Sequence, residues 1–128
     1  MNAQQIKQFE KGDYMSFGTL KKSGDFVSTP VWFAPQEGSY YVFSAGNAGK
    51  VKRLRNFTDA TIASCTATGK VTGEQFDADA YLLETAEDEA VALDALHRKY
   101  GFKMKFTDFL SSLTGKKDKR TYIKVTPR

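Results

Sequence analysis

Hydrophobic positions along this chain switch between a period near 3.6 residues and a period of two, and each switch marks an element boundary. Ile6 and Phe9 lie three apart within residues 2–9, which predicts a short amphipathic helix stopped by Lys11-Gly12-Asp13. Strict alternation then predicts a strand from Tyr14 to Leu20, a turn at Lys22-Ser23-Gly24-Asp25 and a second strand from Phe26 to Ala34. A turn at Pro35-Gln36-Glu37-Gly38 and a third strand from Ser39 to Ser44 complete a three-stranded meander. Ser44 to Gly49 forms a glycine-bearing loop before a helical stretch from Lys50 to Asn56. Ala60 to Thr66 reads as the fourth strand, and Thr68-Gly69-Lys70 turns the chain toward the fifth, Gln75 to Leu83. That strand sets Phe76, Ala78, Ala80 and Leu82 on one face and Gln75, Asp77, Asp79 and Tyr81 on the other. Thr85 with Asp88 caps a helix through Tyr100, with acids in its first turn, Arg98 and Lys99 in its last, and Gly101 as the stop. Phe106, Phe109, Leu110 and Leu113 predict a further short helix, and Thr121 to Thr126 a sixth, closing strand.

Hairpin-length turns join most of these strands, so the pattern predicts a mainly β fold with helical insertions, a six-stranded antiparallel barrel. No repeat or linker divides the chain, and residues 1–128 form a single domain. A barrel this narrow is filled by its own side chains, so a ligand has to sit outside it, in a cleft against a loop or a second subunit.

Composition narrows the picture. Ten Phe, six Tyr and one Trp in 128 residues support a packed core and argue against disorder. No apolar run approaches the roughly 20 residues of a membrane span, and the polar start MNAQQIKQFE has no signal-peptide core; a cytoplasmic protein with no membrane partner is expected. One cysteine, Cys65, and one histidine, His97, cannot supply a zinc tetrad, so no metal is expected. Nucleophilic catalysis of the Ser-His or Cys-His kind would have to run through His97, which reads instead as a helix-terminal residue that suits the dipole. Cys65 reads as a small, semi-buried residue, and Asp77 and Asp79 as solvated carboxylates.

The net charge is +4, and its distribution says more than its sum: residues 74–94 hold eight of the fifteen acids, while Lys50, Lys52, Arg53 and Arg55 crowd together. At 100° per residue Lys50, Arg53 and Phe57 share one helix flank while Val51 and Leu54 turn inward, so Lys50 and Arg53 can meet one anion. The preceding glycines and Asn47 can hold left-handed backbone and offer an anion nest, although the spacing is not that of a P-loop. In the second strand Val27, Thr29, Val31 and Phe33 make a barrel interior, and Phe26, Ser28, Pro30 and Trp32 face outward. Pro30 removes a ladder donor and points to an edge or a bulge, open to a planar heterocycle, a partner chain or solvent.

Three runs carry a resemblance: Val27-Ser-Thr-Pro-Val-Trp-Phe-Ala34, Tyr40-Tyr-Val-Phe-Ser-Ala45 and Gly49-Lys-Val-Lys-Arg-Leu-Arg-Asn56. Together they resemble the flavin and deazaflavin oxidoreductases of the pyridoxamine 5'-phosphate oxidase-like split-barrel superfamily, and within it the small F420-dependent subgroup. The likeness spans residues 12 to 127. It implies a homodimer with two cofactor sites between subunits, holding FMN or the deazaflavin F420. Ser28, Thr29, Pro30, Val31 and Trp32 would lie along the ring system, Ser44 and Ala45 would border the cofactor tail, and Lys50 with Arg53 would clamp its phosphate. The ending Val125-Thr-Pro-Arg128 lacks the Arg-Leu-x-Pro of true pyridoxamine phosphate oxidases, so the expected activity is hydride transfer to a different small molecule, with residues 101–119 a candidate pocket lining. The alternatives are a flavin- or tetrapyrrole-binding protein without turnover, and a single-stranded nucleic-acid binder using Trp32, Tyr40, Tyr41 and Phe43; helical insertions and mild charge argue against nucleic acid.

Overall fold

A computed structural model describes residues 1–101 and 120–128. The predicted helix spanning Phe106 to Leu113 lies outside those residues. The elements run α1 (Ala3–Glu10), β1 (Met15–Leu20), β2 (Phe26–Val31), β3 (Ala34–Gln36), β4 (Ser39–Ala45), α2 (Gly49–Leu54), β5 (Asp59–Ser64), β6 (Phe76–Leu82), α3 (Ala86–Tyr100) and β7 (Arg120–Pro127).

Capping chemistry fixes both longer helices. The Asn2 side chain accepts from the Gln5 N–H and the Gln5 side chain accepts from the Asn2 N–H, each at 2.8 Å, closing a capping box on α1. Thr85 Oγ1 accepts from the Asp88 N–H at 3.1 Å, and Gly101, at φ +54°, ends α3.

The strands form one antiparallel sheet in the order β2-β1-β5-β6-β7-β4-β3. Among the described residues seven strands are present where the pattern predicts six, because the predicted strand from Phe26 to Ala34 breaks in two. Val31 pairs with Met15 of β1, whereas Ala34 pairs with Tyr41 of β4, so the chain crosses from one sheet edge to the other through Trp32 and Phe33. Three Cα steps span at most about 11 Å, so the sheet must curl until its edges nearly meet. The predicted meander is corrected in the same way: β4 pairs with β3 and β7, not with β2. The predicted four-residue turn shortens to Glu37 and Gly38, with φ of +50° and +83°, because Pro35 and Gln36 pair with Tyr40 and Ser39.

At the crossing, the Tyr100 hydroxyl replaces the missing ladder. It accepts from the Phe33 N–H at 2.8 Å, and its proton is shared between the carbonyl oxygens of Asp13 (2.8 Å) and Phe33 (2.9 Å). Inside the curl, Met15, Phe17, Phe33, Val42, Ile62 and Ile123 are fully buried, and α1 adds Phe9 against the rings of Phe33 and Tyr40. Outside it, Ala92, Ala95, Leu96 and Tyr100 of α3 cover Ala34, Tyr41 and Tyr122. Asp77 is exposed as expected, but Asp79 is not a free carboxylate: Arg128 Nη2 donates to it at 2.7 Å and to Asp59 at 3.0 Å, holding the Asp79 carboxyl below its usual range. Among the described residues, no helix is long and apolar enough to cross a membrane.

Candidate functional site

Val51 and Leu54 are buried and seat α2 against the sheet, which leaves Lys50 and Arg53 on one flank, as the helical period requires. Arg53 Nε donates to Thr19 Oγ1 at 2.6 Å. Thr19 is fully buried and pairs with Val27, so this bond delivers the guanidinium to the end of edge strand β2. Lys50 is held below the ordinary lysine range, chiefly by burial and then by the charge of Arg53. Among the described residues no carboxylate forms an ion pair with either side chain. Two neighbouring cations, one of them desolvated, repel each other, and a bound anion relieves both.

The loop before α2 differs from expectation. None of residues 44–49 has positive φ, so the left-handed nest is absent. Gly49 serves another purpose: a Cβ there would lie 2.8 Å from Arg53 Nη1, so glycine lets the guanidinium fold back across the start of the helix. Ser44 is buried with its Oγ donating to the Ala45 carbonyl at 3.3 Å, while exposed Ala45 accepts from the Ala48 N–H at 3.0 Å and starts the turn.

Strand β2 is an edge strand, as Pro30 indicates. Ser28 and Pro30 are exposed on its outer face, and Val31 and Thr29 point to the interior. Thr29 Oγ1 is buried and has no hydrogen-bond partner. Ser28 lies opposite Gly18, where a Cβ would sit 2.8 Å from Ser28 Oγ and closer still to Thr61 Oγ1, so only glycine keeps this face flat. Trp32 stands apart from the other four: it stacks on Tyr100 with centroids 4.6 Å apart and meets Phe43 edge-on at 6.4 Å.

Arg53 is thus bonded to Thr19 opposite Val27 of β2 and Lys50 shares its flank of α2, Ser28 and Thr29 follow on opposite faces of β2, Ser44 and Ala45 lead into α2, and Trp32 belongs to the aromatic stack under α3. Sequence reasoning missed Thr19, Gly18 and the steric role of Gly49, since each acts through a contact between elements. Cys65 is half-buried, and burial pushes its thiol up, away from thiolate reactivity. His97 sits in the last turn of α3, as its sequence context indicates.

No protein-family profile matches the chain, and no curated protein matches it by sequence. Solved structures do match its fold. HutZ, the haem storage protein from Vibrio cholerae, is 17% identical with a TM-score of 0.72, covering 98% of this chain and 89% of HutZ. A FAD-binding protein from Mesorhizobium loti is 12% identical with a TM-score of 0.67, covering 100% of this chain and 89% of that one. A candidate pyridoxamine 5'-phosphate oxidase from Corynebacterium glutamicum is 18% identical with a TM-score of 0.65, covering 100% of this chain and 85% of that one. The fold is that of the pyridoxamine 5'-phosphate oxidase-like split-barrel proteins.

Proposed function

We propose that the protein is a cytoplasmic flavin- or deazaflavin-dependent oxidoreductase, a homodimer that binds FMN or F420 along β2 between subunits and exchanges a hydride with a small-molecule substrate. The observation that carries this reading is the Lys50–Arg53 pair, two cations without a carboxylate partner among the described residues, of which Thr19 holds the Arg53 guanidinium at the end of an edge strand. A phosphate is the anion whose charge and size suit two converging basic side chains. From there a planar ring system can run along the free edge of β2, against Ser28 and Pro30 and the backbone of Thr29 and Val31.

A bound flavin or deazaflavin supplies the hydride chemistry, and the chain's part is to bind, orient and exclude water. Lys50 and Arg53 fix the phosphate end, the flat face over Gly18 admits the ring, and Ser44 and Ala45 border the tail. No strong acid or base is required of the protein.

The test is a fluorescence titration with FMN and with F420 at constant salt, beside Lys50→Ala. Binding of one cofactor in the micromolar range or tighter is expected, weakened about ten- to a hundredfold in the variant. Binding of neither cofactor overturns the reading. A second reading, a ligand-holding protein without turnover, draws on the haem storage function named for HutZ, whose fold this chain shares. It predicts tight haem binding and no acceleration of cofactor oxidation by any acceptor.

A further inference from the structure

Two cavities lie along α1, at the end of β1 opposite the proposed cofactor site: Ser64, which lines both, pairs with Met15, whereas Arg53 is bonded to Thr19 near the other end of the strand. One, of about 250 Å³, has Phe9 and Phe76 in its walls, and the other, of about 310 Å³, has Lys11 and Thr72. They share Gln8, Ser64 and Gly73, and so form two lobes of one groove between α1 and the chain that joins β5 to β6. Gln4, Gln8 and Lys11 stand at i, i+4 and i+7, and Lys11 keeps helical backbone at φ −71° and ψ −22°. The three residues therefore follow one another along the face of α1 that borders the groove. A Cβ at Gly73 would lie 3.4 Å from that of Ser64 and narrow the join, so glycine keeps the lobes connected.

Each lobe carries a single charge among the described residues that line it, and the two charges are opposite: Glu74 in the first, Lys11 in the second. The Glu74 carboxylate is fixed against α1, since Gln5 Nε2 donates to its Oε2 at 2.9 Å, while its Oε1 accepts from no described residue. Lys11 is exposed, has no side-chain hydrogen bond or ion pair among the described residues, and swings on a flexible four-carbon stem. At the join, the Gln8 amide and the Ser64 hydroxyl offer donors and acceptors that no other described residue takes up. Gln5, which holds Glu74, and Lys11 are separated by a rise of about 9 Å along the helix axis. An extended chain of three residues spans about 10 Å at most, and one of two residues about 7 Å.

We propose that this groove binds a free, zwitterionic tripeptide with an apolar first residue, laid along α1. Its ammonium donates to Glu74 Oε1, its first side chain packs on Phe9 and Phe76, and its carboxylate meets Lys11 in the second lobe. Between the two ends, a peptide N–H and carbonyl pair with the Gln8 amide and the Ser64 hydroxyl. Opposite charges at the two ends of the groove select a zwitterion over a simple cation or anion, and the amide at the join selects a peptide over a hydrocarbon chain with the same two ends. The groove shares no residue with the proposed cofactor site, so this binding is independent of the flavin reading.

The full chain is titrated calorimetrically with leucylglycylglycine at constant low salt, and a dissociation constant on the order of 0.1 mM is expected for a ligand of this size. Removing only the ammonium, as in 4-methylpentanoyl-glycylglycine, should weaken binding about tenfold, and capping the carboxylate as its amide about threefold. An unbranched amino acid of the same backbone length, 8-aminooctanoate, should bind about tenfold more weakly than the peptide. Glu74→Gln, which keeps an acceptor for Gln5, should cost the free peptide about tenfold and leave the ligand without an ammonium unaffected; Lys11→Ala should cost about threefold and leave the amide unaffected. No binding of leucylglycylglycine up to about 5 mM overturns the proposal, as does equal affinity for the ligand without an ammonium. Equal affinity for 8-aminooctanoate overturns the assignment of a peptide. These ligand comparisons use the unaltered chain and stand even if a variant fails to fold.

Discussion

Thr29 and Lys99 hold polar atoms in places where water would ordinarily be preferred, and each makes a measurable claim. The Thr29 hydroxyl is buried without a partner, so the folded state bears its desolvation with no hydrogen bond in return. Thr29→Val keeps the shape and removes that group. Its unfolding free energy, from urea denaturation, should match the parent or exceed it by up to about 1 kcal/mol, and a clear loss would mean the hydroxyl has a partner. Lys99 works through pH. Its folded value of about 8 lies below the ordinary 10.5, so between these values the unfolded chain binds more protons and stability from this group rises with pH. Tyr40 and Tyr100, both pushed upward chiefly by burial, act in the opposite direction only as pH passes about 10. The melting temperature of the parent relative to Lys99→Met should therefore climb between about pH 7.5 and 9.5. A flat difference would show that the amine is not desolvated.

Among the elements, α3 decides where the sheet breaks. Its terminal Tyr100 hydroxyl meets the Phe33 N–H and carbonyl and the Asp13 carbonyl, satisfying backbone groups that neither β1 nor β4 can reach at the crossing. Tyr100→Phe strips these bonds and leaves the Phe33 amide buried without an acceptor, for an expected loss of about 2–4 kcal/mol in chemical denaturation. A loss under about 1 kcal/mol would mean that water takes over the role. The crossing also shows what alternation conveys. Val27, Thr29, Val31 and Phe33 keep their inward phase through residues 26–34, so the inside and outside of β2 are readable from the chain. The break is not, because the period of two persists across Trp32 while pairing passes from Met15 to Tyr41, two residues remote in sequence. Helix ends were legible in Thr85 and Gly101, whose chemistry is local. Lys50 and Arg53 were legible as a shared flank for the same reason. Their anchor Thr19 was not, since the bond between Arg53 and Thr19 exists only once α2 docks on the curled sheet.

For the whole molecule, the excess of four positive charges matters less than where charge is left unanswered. Acids from two strands are gathered by one cation, Arg128 bridging Asp59 and Asp79, and Arg98 is paired with Asp94 one helical turn away. Lys50 and Arg53 are the contrasting case, close together, partly desolvated and without a carboxylate among the described residues. Such a pair raises the free energy of the folded state until an anion arrives, so phosphate-bearing ligands should stabilise the whole fold by linkage, by about 2.7 kcal/mol at a hundred times the dissociation constant. FMN and riboflavin share the ring and differ in the phosphate. At equal concentration and ionic strength, FMN is expected to raise the melting temperature well beyond riboflavin, and Lys50→Ala should bring the two shifts together. Equal shifts from FMN and riboflavin in the parent chain would mean that the cations answer some other anion, and β2 alone would then have to account for any flavin affinity.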